Sequence, residues 1–91
     1  MKKCVHLYIR GMVQGVGFRY YVNKCARRHY LKGWVKNLAD GQVEVMAEGD
    51  ELELQEFVSD MKKGSRFSTV EEVQVEWLPA TNQFKHFDIV D

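Results

Sequence analysis

The chain reads as an α+β sandwich of order βαββαβ, with two helices on one face of a mostly antiparallel sheet of four to five strands. Three observations predict it. Apolar residues alternate with period two in Val5/Leu7/Ile9, in Val43/Val45/Ala47 and in Val73/Val75/Trp77. They recur at helical spacing in Phe18, Val22, Cys25 and Ala26, and again in Leu54, Phe57, Val58 and Met61. Finally, 91 residues without a linker, a repeat or a low-complexity run hold one core, since domains run to roughly 100–200 residues. A single domain over 1–91 is expected, with a radius of gyration of about 12 Å.

The elements follow in order. Strand one alternates Val5, Leu7 and Ile9 with His6, Tyr8 and Arg10. Gly11 to Gly17 breaks that period with three glycines. Helix one starts at Phe18 and is expected to last to about Tyr30. Strand two runs from Gly33 to Leu38, and Asp40-Gly41 is a hairpin signal leading into strand three at Val43. Asp50 and Glu53 have the spacing of a capping box at the start of helix two. Lys62 and Lys63 suit its last turn and Gly64 its end. Strand four carries Val73, Val75 and Trp77, and Phe87 and Ile89 suggest a short fifth strand.

Two β-α-β units with amphipathic helices make a split βαβ, ferredoxin-like sandwich. Because the strands alternate, one sheet face should carry both helices and the other should meet solvent. The right-handed crossover makes strands one and two parallel, so their C-terminal ends share one edge. That edge carries the Gly11–Gly17 loop and Asn37.

Composition narrows the function classes. With 45% hydrophobic and 29% charged residues the chain is globular rather than disordered. Thirteen basic residues balance thirteen acidic ones, which argues against a broad basic face for nucleic acid or anionic membrane. No apolar run approaches the roughly 18 residues of a membrane helix. The start, Met1-Lys2-Lys3-Cys4-Val5-His6, has no apolar stretch of a secretory signal, so the expected compartment is the cytoplasm. Cys4 and Cys25 are read as thiols. The strand phase of one and the helix phase of the other place them on opposite sides of the sheet, too far apart to bridge.

The segment with chemical content is Gly11-Met12-Val13-Gln14-Gly15-Val16-Gly17-Phe18-Arg19. It leaves a strand and enters a helix. Glycines let successive N–H groups turn toward one point, and the first helical turn adds partial positive charge there. Arg19 supplies a bidentate cation at the same place. The spacing is neither a Walker A loop nor a dinucleotide fingerprint, because Tyr20 stands where a third glycine belongs. On residue chemistry alone, an anion site and a merely tight turn both remain open.

The run Val13-Gln14-Gly15-Val16-Gly17-Phe18-Arg19, followed fourteen residues after the arginine by the segment Gly33-Trp34-Val35-Lys36-Asn37 that strand two spans, resembles the acylphosphatase family. Asp40-Gly41-Gln42-Val43 and Phe87-Asp88-Ile89-Val90 extend the likeness over nearly the whole chain. The resemblance implies a metal-free, cofactor-free hydrolase of acyl phosphates, releasing a carboxylate and inorganic phosphate. It implies Arg19 and Asn37 as the catalytic pair and Gly15, Val16, Gly17, Phe18 and Arg19 as the phosphate-binding segment. It further implies a monomer, with a small-molecule acyl phosphate as substrate, inorganic phosphate as product and inhibitor, and neither nucleic acid nor membrane as partner.

These residues suffice for that chemistry. Phosphoryl transfer is mostly positioning and charge stabilisation. A carboxylate is a good leaving group and departs without a general acid. Asn37 is too weak a base to take a proton, but its amide accepts one hydrogen bond and donates another, which suits it to hold a water in line. Small GTPases use a glutamine for the same purpose.

The remaining polar residues receive plainer readings. His6, His29 and His86 show no metal spacing and are expected at the surface or sheet edge. Glu51, Glu53, Glu71 and Glu72 are read as solvated carboxylates, and Arg27-Arg28 as a solvated helix face. Tyr8 and Trp34 are expected to pack on the open sheet face. Two features depart from the family pattern. Tyr30 stands where many members have glycine, and Gly64-Ser65-Arg66-Phe67-Ser68-Thr69 replaces a proline-bearing loop. Two other functions compete. One is an RNA-binding module using Tyr8 and Trp34 as stacking platforms, which the zero net charge disfavours. The other is a regulatory domain of a larger maturation factor, which a 91-residue chain with its own start disfavours.

Overall fold

The computed structural model describes all residues, 1–91. The elements are β1 (Lys2–Met12), α1 (Phe18–Arg28), β2 (Lys32–Asn37), β3 (Val43–Asp50), α2 (Glu51–Lys63), β4 (Thr69–Pro79) and β5 (Phe87–Val90). The sheet order is β4-β1-β3-β2-β5. Three neighbouring pairs are antiparallel, and β5 lies parallel to β2. This is the ferredoxin-like arrangement with a fifth strand added at the β2 edge. The radius of gyration is 11.8 Å. No helix is long and apolar enough to cross a membrane.

All eight apolar positions assigned to the helices lie in the core, against Val5, Leu7, Ile9, Val35, Val43, Val45 and Ala47 of the central strands. Fully burying a side chain such as Phe57 or Leu54 is worth about 1.5–3 kcal/mol, so these two stripes hold the helices on the sheet. β4 is an edge strand, and its apolar residues are less covered: Val73 and Val75 only pack on the rim of the core, and Trp77 is exposed.

The second sheet face is not simply solvated. Glu48 is buried and accepts hydrogen bonds from Thr81 N, Thr81 Oγ1 and Asn82 N at 2.9, 2.9 and 2.6 Å. Burial works to raise its pKa, but these donors outweigh it and hold the carboxyl below its ordinary range. The β4–β5 connection is thereby pinned to β3. Cys4 is buried on this face with its Sγ 3.4 Å from Met46 Sδ, while Cys25 sits in the helical core; both are free thiols.

Helix α1 ends at Arg28, before Tyr30, because Tyr30 adopts a left-handed conformation with φ 59°. Leu31 N donates to Ala26 O at 2.9 Å and Tyr30 N to Arg27 O at 3.1 Å, which is a complete Schellman closure. A non-glycine residue in that conformation costs about 1–2 kcal/mol. A glycine there loses about 0.4–1 kcal/mol through the unfolded chain. Tyr30 is largely exposed, so it contributes little packing. Tyr30→Gly is therefore expected to stabilise by about 0.5–1 kcal/mol, raising the thermal midpoint by roughly 2–8 °C. A midpoint that falls in a thermal melt would contradict this strain.

Two further readings are corrected. His29 is not a surface residue; it lies between the helices, with Nδ1 2.8 Å from Glu53 and Nε2 3.1 Å from Asp60. A neutral imidazole has one donor, so both contacts together favour the charged ring. Burial would lower its pKa, but the two carboxylates raise it above the ordinary histidine value. Glu53 is accordingly a partly exposed carboxylate paired with His29, and it is not turned back to close a capping box. Asp50 caps α2 alone, accepting from Leu52 N at 3.2 Å. The proline-free loop after Gly64 is closed by the Ser68 hydroxyl, which accepts from Ser65 N at 2.7 Å and donates to Ser65 O at 3.1 Å.

Candidate active site

Topology brings the site together. β3 lies between β1 and β2 and antiparallel to each, so Val43 at its start pairs with both Ile9 and Asn37. The last residues of β1 and β2 are thereby neighbours at one end of the sheet. Period two puts Asn37 in phase with Val35, on the helix-covered face. β5 is parallel to β2 with Ile89 opposite Val35, so it finishes at the same end.

The loop from β1 to α1 turns into this space. Gly15 and Gly17 both have φ of 75°, a region that side chains disfavour. Gly17 is the N-cap of α1, and no side chain caps the helix. The N–H groups of Gly15, Val16 and Gly17 donate no backbone hydrogen bond, and the first helical bond runs from Tyr21 N to Gly17 O. Phe18, Arg19 and Tyr20 therefore have no acceptor in the preceding turn. A run of unspent donors at a helix N-terminus is an anion cradle.

A cavity of about 280 Å³ lies in front of it, lined by Val13, Gly15, Gly17, Phe18, Arg19, Tyr20, Asn37 and Ile89. Of the expected site residues, Gly15, Gly17, Phe18, Arg19 and Asn37 meet around this one space. Val16 does not line it; its side chain packs against the core, leaving only its backbone to the loop. Phe18 is buried at the same junction and anchors the first turn of α1.

Arg19 is partly exposed, and its Nη1 donates to Val90 O at 3.0 Å and lies 3.6 Å from the exposed Asp91 carboxylate. A guanidinium has five N–H donors, so most of the fork stays available to an anion. No carboxylate lines the cavity itself; the guanidinium and the helix terminus set a positive local field, offset in part by the exposed Asp91 carboxylate beside Arg19. The Asn37 Oδ1 is buried without a hydrogen-bond partner. An orphaned acceptor costs about 1–3 kcal/mol, and this one belongs to a residue of the cavity wall.

Sequence reasoning missed four contributors. Val13, Tyr20 and Ile89 complete the cavity wall, and the β5 backbone at Val90 holds Arg19. The phase of Ile89 with Phe87 was the available signal for one of them. Gln14 was also passed over; its Nε2 donates to the carbonyls of Leu38 and Gln42 at 2.8 Å each.

The other polar groups stand apart. His29, Glu53 and Glu56 gather on the helices, where the His29 contacts serve interhelical pairing. Arg10 pairs with Glu71 and Glu72 on the β4 edge. Tyr8 and Trp34 lie on the opposite sheet face, where Tyr8 packs beside His6 and Lys36 sits over Trp34.

A family model described as Acylphosphatase matches residues 5–89. The chain is similar to an acylphosphatase of Caldanaerobacter subterraneus subsp. tengcongensis, with 47% identity over 89 residues, covering 98% of this chain and 99% of the relative. Among solved structures it is similar to acylphosphatase from Bacillus subtilis, with a TM-score of 0.94 and 44% identity over 100% of both chains. An acylphosphatase from Coxiella burnetii matches with a TM-score of 0.92 and 32% identity, covering 98% of this chain and 93% of that one.

Proposed function

From the premise that this chain belongs to the acylphosphatase family and hydrolyses small-molecule acyl phosphates, we propose how its residues do so. The phosphoryl group sits in the cradle of N–H groups from Gly15 to Arg19, including those of Val16, Gly17 and Phe18. Arg19 meets its equatorial oxygens with the guanidinium donors that Val90 leaves free. Asn37 holds the attacking water through its Oδ1, opposite the departing carboxylate. The bond from phosphorus to the acyl oxygen breaks as the bond to the water oxygen forms. The carboxylate leaves unprotonated, and the water proton passes to the phosphate.

The observation that carries this reading is the shared cavity, whose wall brings together the donor run from Gly15, the Arg19 cation and Asn37, a residue with an orphaned acceptor. Pre-organised donors of this kind are worth about 2.7–4 kcal/mol each in the transition state. The wall has no carboxylate to hold a hard cation, which supports a metal-free reaction, and the steps above call on no cofactor. The product is an anion of the same shape, so inorganic phosphate is a competitive inhibitor. We further assign the activity to residues 1–91 as one unit, working as a cytoplasmic monomer without nucleic-acid or membrane partners.

The test is hydrolysis of benzoyl phosphate by the purified protein in excess chelator, with and without inorganic phosphate. Turnover that survives chelation and is competitively inhibited by phosphate is expected. Turnover that chelation abolishes, or that phosphate does not inhibit, would overturn this mechanism.

A further inference from the structure

Gln14 stands in the middle of the cradle loop, yet its side chain leaves the loop. Both protons of its Nε2 are spent on the β2–β3 hairpin, at Leu38 O and Gln42 O, 2.8 Å each. Leu38 directly follows Asn37. It is the one residue from Gly11 to Gly17 whose side chain hydrogen-bonds to this hairpin.

The hairpin that receives it is already closed. Leu38 N donates to Gln42 O at 2.8 Å and Gly41 N to Leu38 O at 3.2 Å. Asp40 accepts from Gln42 N at 3.0 Å and from its side-chain amide at 2.8 Å. Those bonds hold the carboxyl of Asp40 below its ordinary pKa, the bond from Gln42 N foremost. Gln14 thus ties the glycine-bearing loop to a hairpin that directly follows Asn37 and is closed by its own hydrogen bonds.

We propose that Gln14 is a positioning residue for the hydrolytic step, fixing the separation between the phosphate cradle and the Asn37 amide. The proposal rests on the reading of Arg19 and Asn37 given above. The cradle and Arg19 belong to one contiguous segment, so phosphate affinity survives loss of the clamp. The relation of phosphate to Asn37 spans two segments, so the alignment of water with phosphorus does not survive it. Misplacement of about 1 Å in a reacting geometry costs on the order of a hundredfold.

Gln14→Met keeps the length of the side chain and removes both donors. Each hairpin carbonyl retains a backbone donor, so no acceptor is orphaned and the fold should hold. Expected for benzoyl phosphate is a kcat lower by roughly 10–100-fold, with the Kd for inorganic phosphate within about threefold of wild type. The double variant Gln14→Met/Asn37→Ala should be no slower than Asn37→Ala, because the clamp acts through Asn37. A Gln14→Met protein with wild-type kcat overturns the proposal. So does a kcat loss that multiplies with that of Asn37→Ala, or one matched by an equal loss of phosphate affinity. If Gln14→Met does not fold, Gln14→Asn, with the amide on a shorter stem, is read by the same criteria. An Asn37→Ala protein with wild-type kcat would instead remove the underlying reading, whatever Gln14 does.

Discussion

Arg19→Gln is expected to lose phosphate binding and turnover together. The guanidinium is the only full positive charge on the cavity wall, and glutamine keeps a donor while removing that charge and the planar fork. In phosphoryl transfer a transition-state arginine is worth roughly 10³–10⁵ in kcat. A fall in kcat/KM for benzoyl phosphate of at least about a thousandfold is expected, with inorganic phosphate binding too weak to measure by calorimetry. The fold should persist, because Arg19 is partly exposed and its contacts are confined to Val90 O and the exposed Asp91. A thermal midpoint near wild type would establish that. Arg19→Lys is the sharper comparison. It restores the charge but not the fork, so phosphate binding should return in part while turnover stays low. A Gln variant that still binds phosphate within threefold of wild type would remove Arg19 from the cradle.

These residues also show what one-dimensional reading reaches. Phe18, Val22, Cys25 and Ala26 were legible as a buried face because helical period is local, and Leu54, Phe57, Val58 and Met61 for the same reason. Placing Asn37 beside the glycine loop took one further rule, the handed crossover, which makes β1 and β2 finish together. Contacts that depend on distant partners stayed hidden. Val90 is 71 residues from Arg19, and nothing in a strand pattern says which carbonyl a guanidinium will meet. Gln14 sits in a turn, where polarity reads as solvation, although its amide is spent on a hairpin 24 and 28 residues away. Glu53 had two possible partners, the backbone at Asp50 and the ring of His29. Spacing suggested the first, and the packing of α1 against α2 selected the second. Tyr30 shows a local preference overridden: the Schellman closure and the burial of Leu31 impose a left-handed residue where tyrosine resists it.

Asn37→Ala is expected to separate binding from chemistry, which no change at Arg19 can do. The Asn37 Oδ1 is buried and unpartnered, so deleting the amide breaks no hydrogen bond through that atom and removes a desolvated acceptor. Stability should hold or rise slightly. The cradle donors and Arg19 are untouched, so inorganic phosphate should bind within about threefold of wild type. What disappears is the group that orients water against the phosphoryl centre. Losing a single pre-organised polar contact of this kind costs about 10²–10³ in kcat. Asn37→Asp tests the same role by a different route, since it keeps an acceptor of the same size but adds a negative charge facing the bound anion. Repulsion should then weaken phosphate binding as well, and lowering the pH to protonate the carboxyl should restore binding before it restores turnover. Paired measurements of kcat and phosphate affinity on the two variants would settle the assignment. An alanine variant that turns over normally, or that loses phosphate affinity in proportion to kcat, would place the water elsewhere and make Asn37 part of the cradle.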